Sequence, residues 1–369
     1  MSLISVRKTP SYSPGLLREA VDFHFAALGV EKDLRPGMKV LLKPNLLAAR
    51  KPEQVVTTHP ALVQAVIDWL RERGIRDITL ADSPGGPYNE IRLRSVYAAS
   101  KMDTLTGVTL NSDTSSAQVD QPQGKICHRF PVIDPVRQAD YVINLPKVKT
   151  HGMTVVSLGI KNLFGVIPGL EKPAIHCRYP GWEEFAGMLL DLASLVRPSV
   201  TLVDGVTAME GDGPAGGDPR ALGYTFASRD LFHLDWFLAG TVMGLDPETI
   251  PMLRQARERG WLEDPPVLTG DPLEPGPPFR RPKTQSADFT GYLPGFLRKP
   301  ARAVTDRLFR PRPKVVEKKC VGCGRCAESC PQHIIAIENG KAKIDRRRCI
   351  SCFCCQEMCP AKAILSTRA

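Results

Sequence analysis

Short, predominantly apolar runs recur along the first 270 residues, at 40–42 (VLL), 78–81 (ITLA), 141–145 (YVINL) and 200–203 (VTLV). Runs of this length without polar alternation fit strands covered on both faces, as in a largely parallel sheet. Longer segments of helical period lie between them. One runs from Pro60 to about Arg73, with proline at its first position and Gly74 at its stop. A second runs from Trp182 to about Arg197, repeats Trp182, Phe185, Leu189, Leu192 and Val196 along one face, and is closed by Pro198. Strands and helices in alternation predict an α/β domain, a largely parallel sheet with flanking helices. Residues 264–282, rich in proline and glycine, mark its end.

Each apolar run passes straight into polar residues. Residues 40–42 lead to Lys43 and Asn45, and 78–81 lead to Asp82 and Ser83. Residues 141–145 lead to Lys147, Lys149 and His151, and 200–203 lead to Asp204 and Glu210. Ligands of open parallel sheets bind outside the carboxyl ends of the strands, so these residues are expected to converge on one crevice. Lys147, Lys149 and His151, with Lys161 and Asn162 further on, gather positive charge that would hold an anion. His151 and His176 titrate nearest neutral pH and are candidate proton donors, together with Lys147 and Lys161 as catalytic residues. Lys43, Asn45, Asp82, Lys149, Asn162, Asp204 and Glu210 are candidate binding residues; Asp82, Asp204 and Glu210 could also orient a histidine or hold a metal.

Gly211, Gly213 and Gly216 match G-x-G-x-x-G, yet the match does not follow a strand at once or open a helix. A loop or a backbone anion nest fits it better than a dinucleotide site. The sequence shows no Walker motif, no nucleophile elbow and no flavin fingerprint.

The chemistry at the carboxyl end of the chain is far more specific. Cys320, Cys323, Cys326 and Cys330 precede Pro331, and Cys349, Cys352, Cys355 and Cys359 precede Pro360. Both read C-x2-C-x2-C-x3-C-P, offset by 29 residues, with Lys319 matching Arg348 and Ile335 matching Ile364. A cysteine at every third residue aims three thiolates at one iron–sulfur cube, while the fourth, before proline, reaches the other cube. Cluster I is therefore assigned to Cys320, Cys323, Cys326 and Cys359, and cluster II to Cys349, Cys352, Cys355 and Cys330. Zinc, the competing metal, prefers two separated C-x2-C pairs. Cys354 stands where the first copy has Arg325, as a spare thiol or a redox handle. A module this small buries little apolar surface, so two [4Fe-4S] clusters are expected to hold its fold as well as to carry electrons.

The chain of 369 residues thus divides into an α/β domain (1–275), a basic, proline-rich linker (276–313) and a two-cluster, ferredoxin-like α+β module (314–369). Of the net charge of +10, nearly all lies in residues 280–319, which hold twelve Lys or Arg and three Asp or Glu. A basic segment beside anionic clusters can steer an acidic redox partner. Without interleaved aromatics or a recognisable motif it does not read as a nucleic-acid site. Residues 300–310 could form a short basic helix that docks on the main domain, meets a partner or lies on a membrane surface. No apolar run is long enough to cross a membrane, and the amino terminus lacks a signal-peptide core. With nine of eleven cysteines inside the repeat, a reducing cytoplasm is expected.

The main domain resembles the family catalogued as domain of unknown function 362. The matching stretches are LLKPNLL (41–47), TTHPALVQAVIDWL (57–70), LADSPGG (80–86), INLPKVKTH (143–151), GIKNLFGVIPG (159–169) and VDGVTAMEGDGP (203–214). The resemblance implies an iron–sulfur protein of anaerobic-type metabolism and no particular reaction. Three functions remain open: a ferredoxin-coupled oxidoreductase acting on a small anion, a carrier or maturation subunit docking a larger enzyme, and a redox-sensing regulator.

Overall fold

The structure, a computed structural model, describes residues 2–283 and 311–367. The basic helix expected over residues 300–310 lies outside the described residues. In chain order, β1 (Leu3–Lys8), α1 (Pro14–Ala27), β2 (Val40–Pro44), α2 (Pro60–Glu72), β3 (Ile78–Leu80), α3 (Glu90–Ser100) and β4 (Thr109–Leu110) come first. The antiparallel pair β5 (Ser116–Asp120) and β6 (Arg129–Ile133) and the single turn α4 (Asp134–Arg137) precede β7 (Tyr141–Leu145), β8 (Lys147–His151) and β9 (Val155–Ser157). Then come α5 (Gly159–Asn162), α6 (Glu171–Arg178), α7 (Trp182–Val196), β10 (Val200–Glu210), β11 (Asp218–Ser228), α8 (Leu231–Phe237), α9 (Pro251–Glu258) and β12 (Val267–Gly270).

One ten-stranded sheet runs through the domain in the order β12-β1-β11-β10-β7-β2-β3-β4, with β8 and β9 attached beside β10. From β10 to β4 every neighbouring pair is parallel, and β11 is antiparallel to both β10 and β1. α1, α2 and α3 cover one face, burying Leu17, Phe25, Leu62, Trp69 and Leu93 with the sheet residues Leu42, Leu80 and Ile143. α7, α8 and α9 cover the other, with Phe185, Leu189, Leu192, Leu234 and Leu253 around Val203 and Phe226. Each such side chain contributes roughly 1.5–3 kcal/mol by leaving water. α2 starts on Pro60 and stops before Gly74, which adopts φ +80°, as the spacing predicts.

Three expectations change. The string KVKTH is a fully buried strand, β8, and not a loop after β7. Its period of two places Lys147, Lys149 and His151 on one face, a pattern hidden because the alternating positions are charged instead of apolar. β10 runs on to Glu210, so Asp204 and Glu210 are strand residues, and the glycines after it belong to the β10–β11 connection. Gly213 packs there against the Thr150 carbonyl, where a Cβ would come within 2.1 Å, so the loop expected at these glycines makes a close backbone approach. The packed body also reaches past residue 275, because Phe279 is buried in the core and Arg280 pairs with Glu210.

The carboxyl-terminal module keeps its 29-residue repeat in three dimensions. β13 (Arg312–Val315) repeats as β15 (Lys341–Ile344), the one-turn helix Arg325–Glu328 as Cys354–Glu357, and β14 (Ile335–Glu338) as β16 (Ile364–Thr367). Pairing crosses between copies, β13 with β16 and β14 with β15, both antiparallel. The two halves are interlocked, each strand pair joining one copy to the other.

Candidate functional site

The carboxyl ends of β2 and β3, the strand β8 and the helices α5 and α6 surround a cavity of about 730 Å³ counting its mouth. Its floor is a buried ion pair, Lys43 Nζ to Asp82 Oδ1 at 2.8 Å, and Asp82 Oδ2 also accepts from the Leu46 amide at 2.6 Å. Only glycine fits at 165, where a Cβ would lie 2.0 Å from Asp82 Oδ1 and 2.6 Å from Lys43 Nζ. Lys149 Nζ donates to Asn45 Oδ1 at 2.8 Å and to the Val56 carbonyl at 2.7 Å. Asn45 in turn donates to Asn162 Oδ1 at 2.9 Å, and Asn162 to Asn144 Oδ1 at 2.8 Å. α6 brings in Lys172, whose Nζ donates to the Ser83 carbonyl at 2.5 Å, and His176, stacked on Phe185 at 4.5 Å between centroids.

The roof comes from the carboxyl-terminal module. Ser329, Cys354, Glu357 and Met358 line the cavity from above. Glu357 Oε1 lies 3.2 Å from His151 Nε2. His151 Nδ1 accepts from the amides of Met153 and Thr154, so the single proton of the neutral ring sits on Nε2, facing that carboxylate. Met358 packs over Gly85, where a Cβ would come within 2.5 Å of its sulfur. Arg50 donates to the Cys359 carbonyl at 2.9 Å, Lys362 to the Gly217 carbonyl at 3.3 Å, and Gln332 to Cys177 Sγ at 3.2 Å, which fastens the module down.

Burial dominates the electrostatics. It pulls Lys149 and Lys172 down to about 7, against the weaker upward pull of the nearby carboxylates. Lys161 and Lys43 are lowered for the same reason. His176 falls to about 3 and His151 goes well below its usual value, through burial first and the neighbouring ammoniums second. Glu357 is raised by burial in spite of Lys161 and Lys149. The cavity therefore stores cationic groups that burial is discharging.

Of the residues singled out from the sequence, Asn45, Asp82, Lys149, His151, Lys161, Asn162 and His176 line this cavity. Lys43 lies just beneath it. Lys147 and Asp204 do not reach it. They form a separate buried pair at 2.8 Å, completed by the Tyr12 hydroxyl, which donates to Asp204 Oδ1 at 2.8 Å, and by the His59 amide at 2.9 Å. Glu210 is further off, clamped by Arg220 and Arg280. Asp82, Asp204 and Glu210 thus each answer a different cation and share no metal position. Lys172, Glu357 and Met358 belong to the site and escaped the sequence reading, which had Ser83 among the converging residues without a binding role and Cys354 as a spare thiol or redox handle. Lys172 lies outside any strand end, and Glu357 and Met358 read only as spacers between cysteines.

Two smaller cavities lie inside the module. Cys320, Cys323, Cys326 and Cys359 surround one of about 330 Å³, and Cys330, Cys349, Cys352 and Cys355 surround another of about 310 Å³, each counting its mouth. Among the described residues, no three His, Cys, Asp or Glu side chains converge as ligands of a single ion would. Zinc needs its sulfurs about 2.3 Å from one atom, whereas thiols set around a cavity suit a cube of iron and sulfide. Burial, and then the crowding of Cys352, Cys349 and Cys330, pushes the Cys355 thiol well above its ordinary value, as befits a ligand whose thiolate needs iron for a counter-charge. Backbone amides of Ala342, Ser351 and Ala363 point at the sulfurs of Cys320, Cys349 and Cys359 at 3.2–3.4 Å. Cys354 lines the larger cavity and neither thiol cavity, so it is a neighbour of the thiol set and not a ninth member.

This architecture defines an iron–sulfur electron-transfer protein whose ferredoxin module is docked on an α/β domain. The chain belongs to the family of the domain of unknown function DUF362, whose model matches residues 40–240, and a 4Fe-4S dicluster domain matches residues 319–363. It is similar to the thylakoid-associated protein sll1697 of Synechocystis, at 33% identity over 265 residues, 69% of this chain and 78% of that protein. Among solved structures it is similar to the lactate racemase apoprotein of Thermoanaerobacterium thermosaccharolyticum, with a TM-score of 0.42 and 12% identity over 62% of this chain and 55% of that one. At that level of likeness nothing of the racemase's chemistry transfers to this chain.

Proposed function

We propose that the protein is a ferredoxin-coupled oxidoreductase in which electrons pass between the iron–sulfur module and a small anionic molecule held in the cavity beneath it. One observation carries this reading: Lys161 and His151 of the α/β domain face Cys354 and Glu357 of the module across a single cavity. Three roof residues are chain neighbours of thiols in both sets, Ser329 of Cys330, Cys354 of Cys355 and Met358 of Cys359. When bound, two [4Fe-4S] clusters supply electrons one at a time. The chain's own residues do the rest. Lys149, Lys161 and Lys172 hold the anion. Lys149 and Lys172, near 7, exchange protons at working pH. His151 keeps its proton on Nε2 toward Glu357, and the roof limits water.

Electrons are exchanged with a redox partner protein at the outer end of the module, where Cys323 is exposed and Val321 is 68% exposed. That exposed end also favours the second reading, a carrier or maturation subunit docking a larger enzyme. We place the protein in the cytoplasm; no helix among the described residues is long and apolar enough to cross a membrane. The association in the cyanobacterial relative's name, together with the basic segment 280–319, makes a peripheral membrane contact the alternative.

The test is anaerobic. Dithionite-reduced full-length protein is mixed with anionic and neutral small-molecule fractions of a cell extract while the visible band of the clusters is followed. Reoxidation by an anionic fraction, at least about tenfold slower in Lys161→Met, is expected, since a hydrogen bond from a charged group is commonly worth about 1.5–3 kcal/mol. Reoxidation by proteins alone would transfer the case to the carrier reading.

A further inference from the structure

We infer that the cavity is built for a doubly charged oxyanion, a phosphate group or a small dicarboxylate, anchored on Lys161. The inference rests on the reading above for the cavity's role and goes further in naming the ligand's charge. Lys43 and Asp82 cancel in their ion pair. Among the described residues three lysines remain, Lys149, Lys161 and Lys172, against one carboxylate, Glu357, an excess of two positive charges when all three are protonated, as a bound dianion would hold them. Lys161 is the hub, because its charge acts on Lys149, His151, Lys172 and His176 alike. Its ammonium makes no hydrogen bond to any described residue and rests on the Phe164 ring at 4.5 Å from the centroid.

Two further polar atoms point to a ligand. Ser83 Oγ and His176 Nδ1 line the cavity, are buried and have no hydrogen-bond partner, and their residues are 2% and 5% exposed. Buried polar atoms are almost always satisfied, so a hydroxyl and a ring nitrogen left over beside a free ammonium mark where ligand oxygens belong. Among the described residues no arginine lines the cavity. The fork that suits one carboxylate is missing, and separate point charges suit an anion with charge on several oxygens or at two ends.

The lysines also make binding pH-dependent. Lys172 faces Asp82, Lys43 and Lys161, and Lys149 faces Lys147, Glu357, Lys161 and Asp82. A dianion among them raises both from about 7, so binding takes up protons at neutral pH and weakens as pH climbs.

Calorimetry decides the matter. Cluster-loaded full-length protein is titrated anaerobically with inorganic phosphate, succinate or acetate, in two buffers of different ionisation heat. At least one dianion should bind about tenfold or more tighter than acetate with net proton uptake, a gap that one or two charge-assisted hydrogen bonds supply. Whichever of phosphate and succinate binds identifies the source. Lys161→Met and Lys172→Met should each weaken binding by about tenfold while circular dichroism and cluster absorbance stay those of the wild type. Equal binding of acetate, no binding of either dianion, or affinity untouched by both substitutions overturns the inference. Dianion binding by a protein whose clusters no anionic extract fraction reoxidises removes the oxidoreductase reading and leaves this site. Reoxidation by a singly charged anion with no dianion binding does the reverse.

Discussion

Lys147 and Lys149 lie two residues apart on one face of one strand and have opposite fates. Lys147 is closed in on Asp204 and Tyr12, a scaffold that ties β8 to β10. Lys149 keeps no carboxylate of its own and answers only Asn45 and a carbonyl. The sequence places both at the end of an apolar run but does not say which charge is neutralised, because the neutralising partners lie far along the chain. The same limit hid Glu357, 206 positions beyond the His151 it faces (357 − 151). Lys147→Met would strand Asp204 in the interior, so it should cost about 3–5 kcal/mol in anaerobic denaturant titration. Dianion affinity should survive in the fraction that remains folded. A variant with unchanged stability and lost affinity would return Lys147 to the binding site.

At the scale of elements, the crossed pairing of β13 with β16 and of β14 with β15 explains why the fourth cysteine of each repeat joins the other set. β14 follows Cys330 and pairs with the second copy's β15, and β16 follows Cys359 and pairs with the first copy's β13, so each fourth cysteine leads into a strand held by the other copy. The apolar cluster of the module is small and includes the cysteines themselves. Iron removal by a chelator should therefore unfold residues 311–367, seen as rapid proteolysis there, while the α/β domain persists as a protected fragment. Unchanged proteolysis would show that the module folds without metal. Much of this level was legible. The four apolar runs became β2, β3, β7 and β10, and helices stand where the period and the prolines placed them. What the pattern missed was strand written in charges, β8 and the outer half of β10. Pairing on both sides overrides the polarity of those residues.

At the scale of the whole molecule, neither part has the site by itself. The α/β domain supplies cations from β8, α5 and α6, and the module supplies the roof and the thiols for the electron carriers. Cys354 and Met358, on the roof, are two of the places where the second repeat departs from the first, which has Arg325 and Ser329 there. That departure was the one sign in the sequence of which copy turns its helix to the domain. If electrons pass between the clusters and a molecule in the cavity, the two must feel each other's charge, and the coupling must be reciprocal. The most direct measurement is an EPR-monitored redox titration of the intact protein with and without saturating inorganic phosphate or succinate. A midpoint potential made more negative by the dianion in the wild type, with about tenfold more dianion needed for the same shift in Lys161→Met, is expected, because a nearby anion opposes the added electron. Identical potentials with and without a dianion shown to bind would contradict an electron path between the module and the cavity.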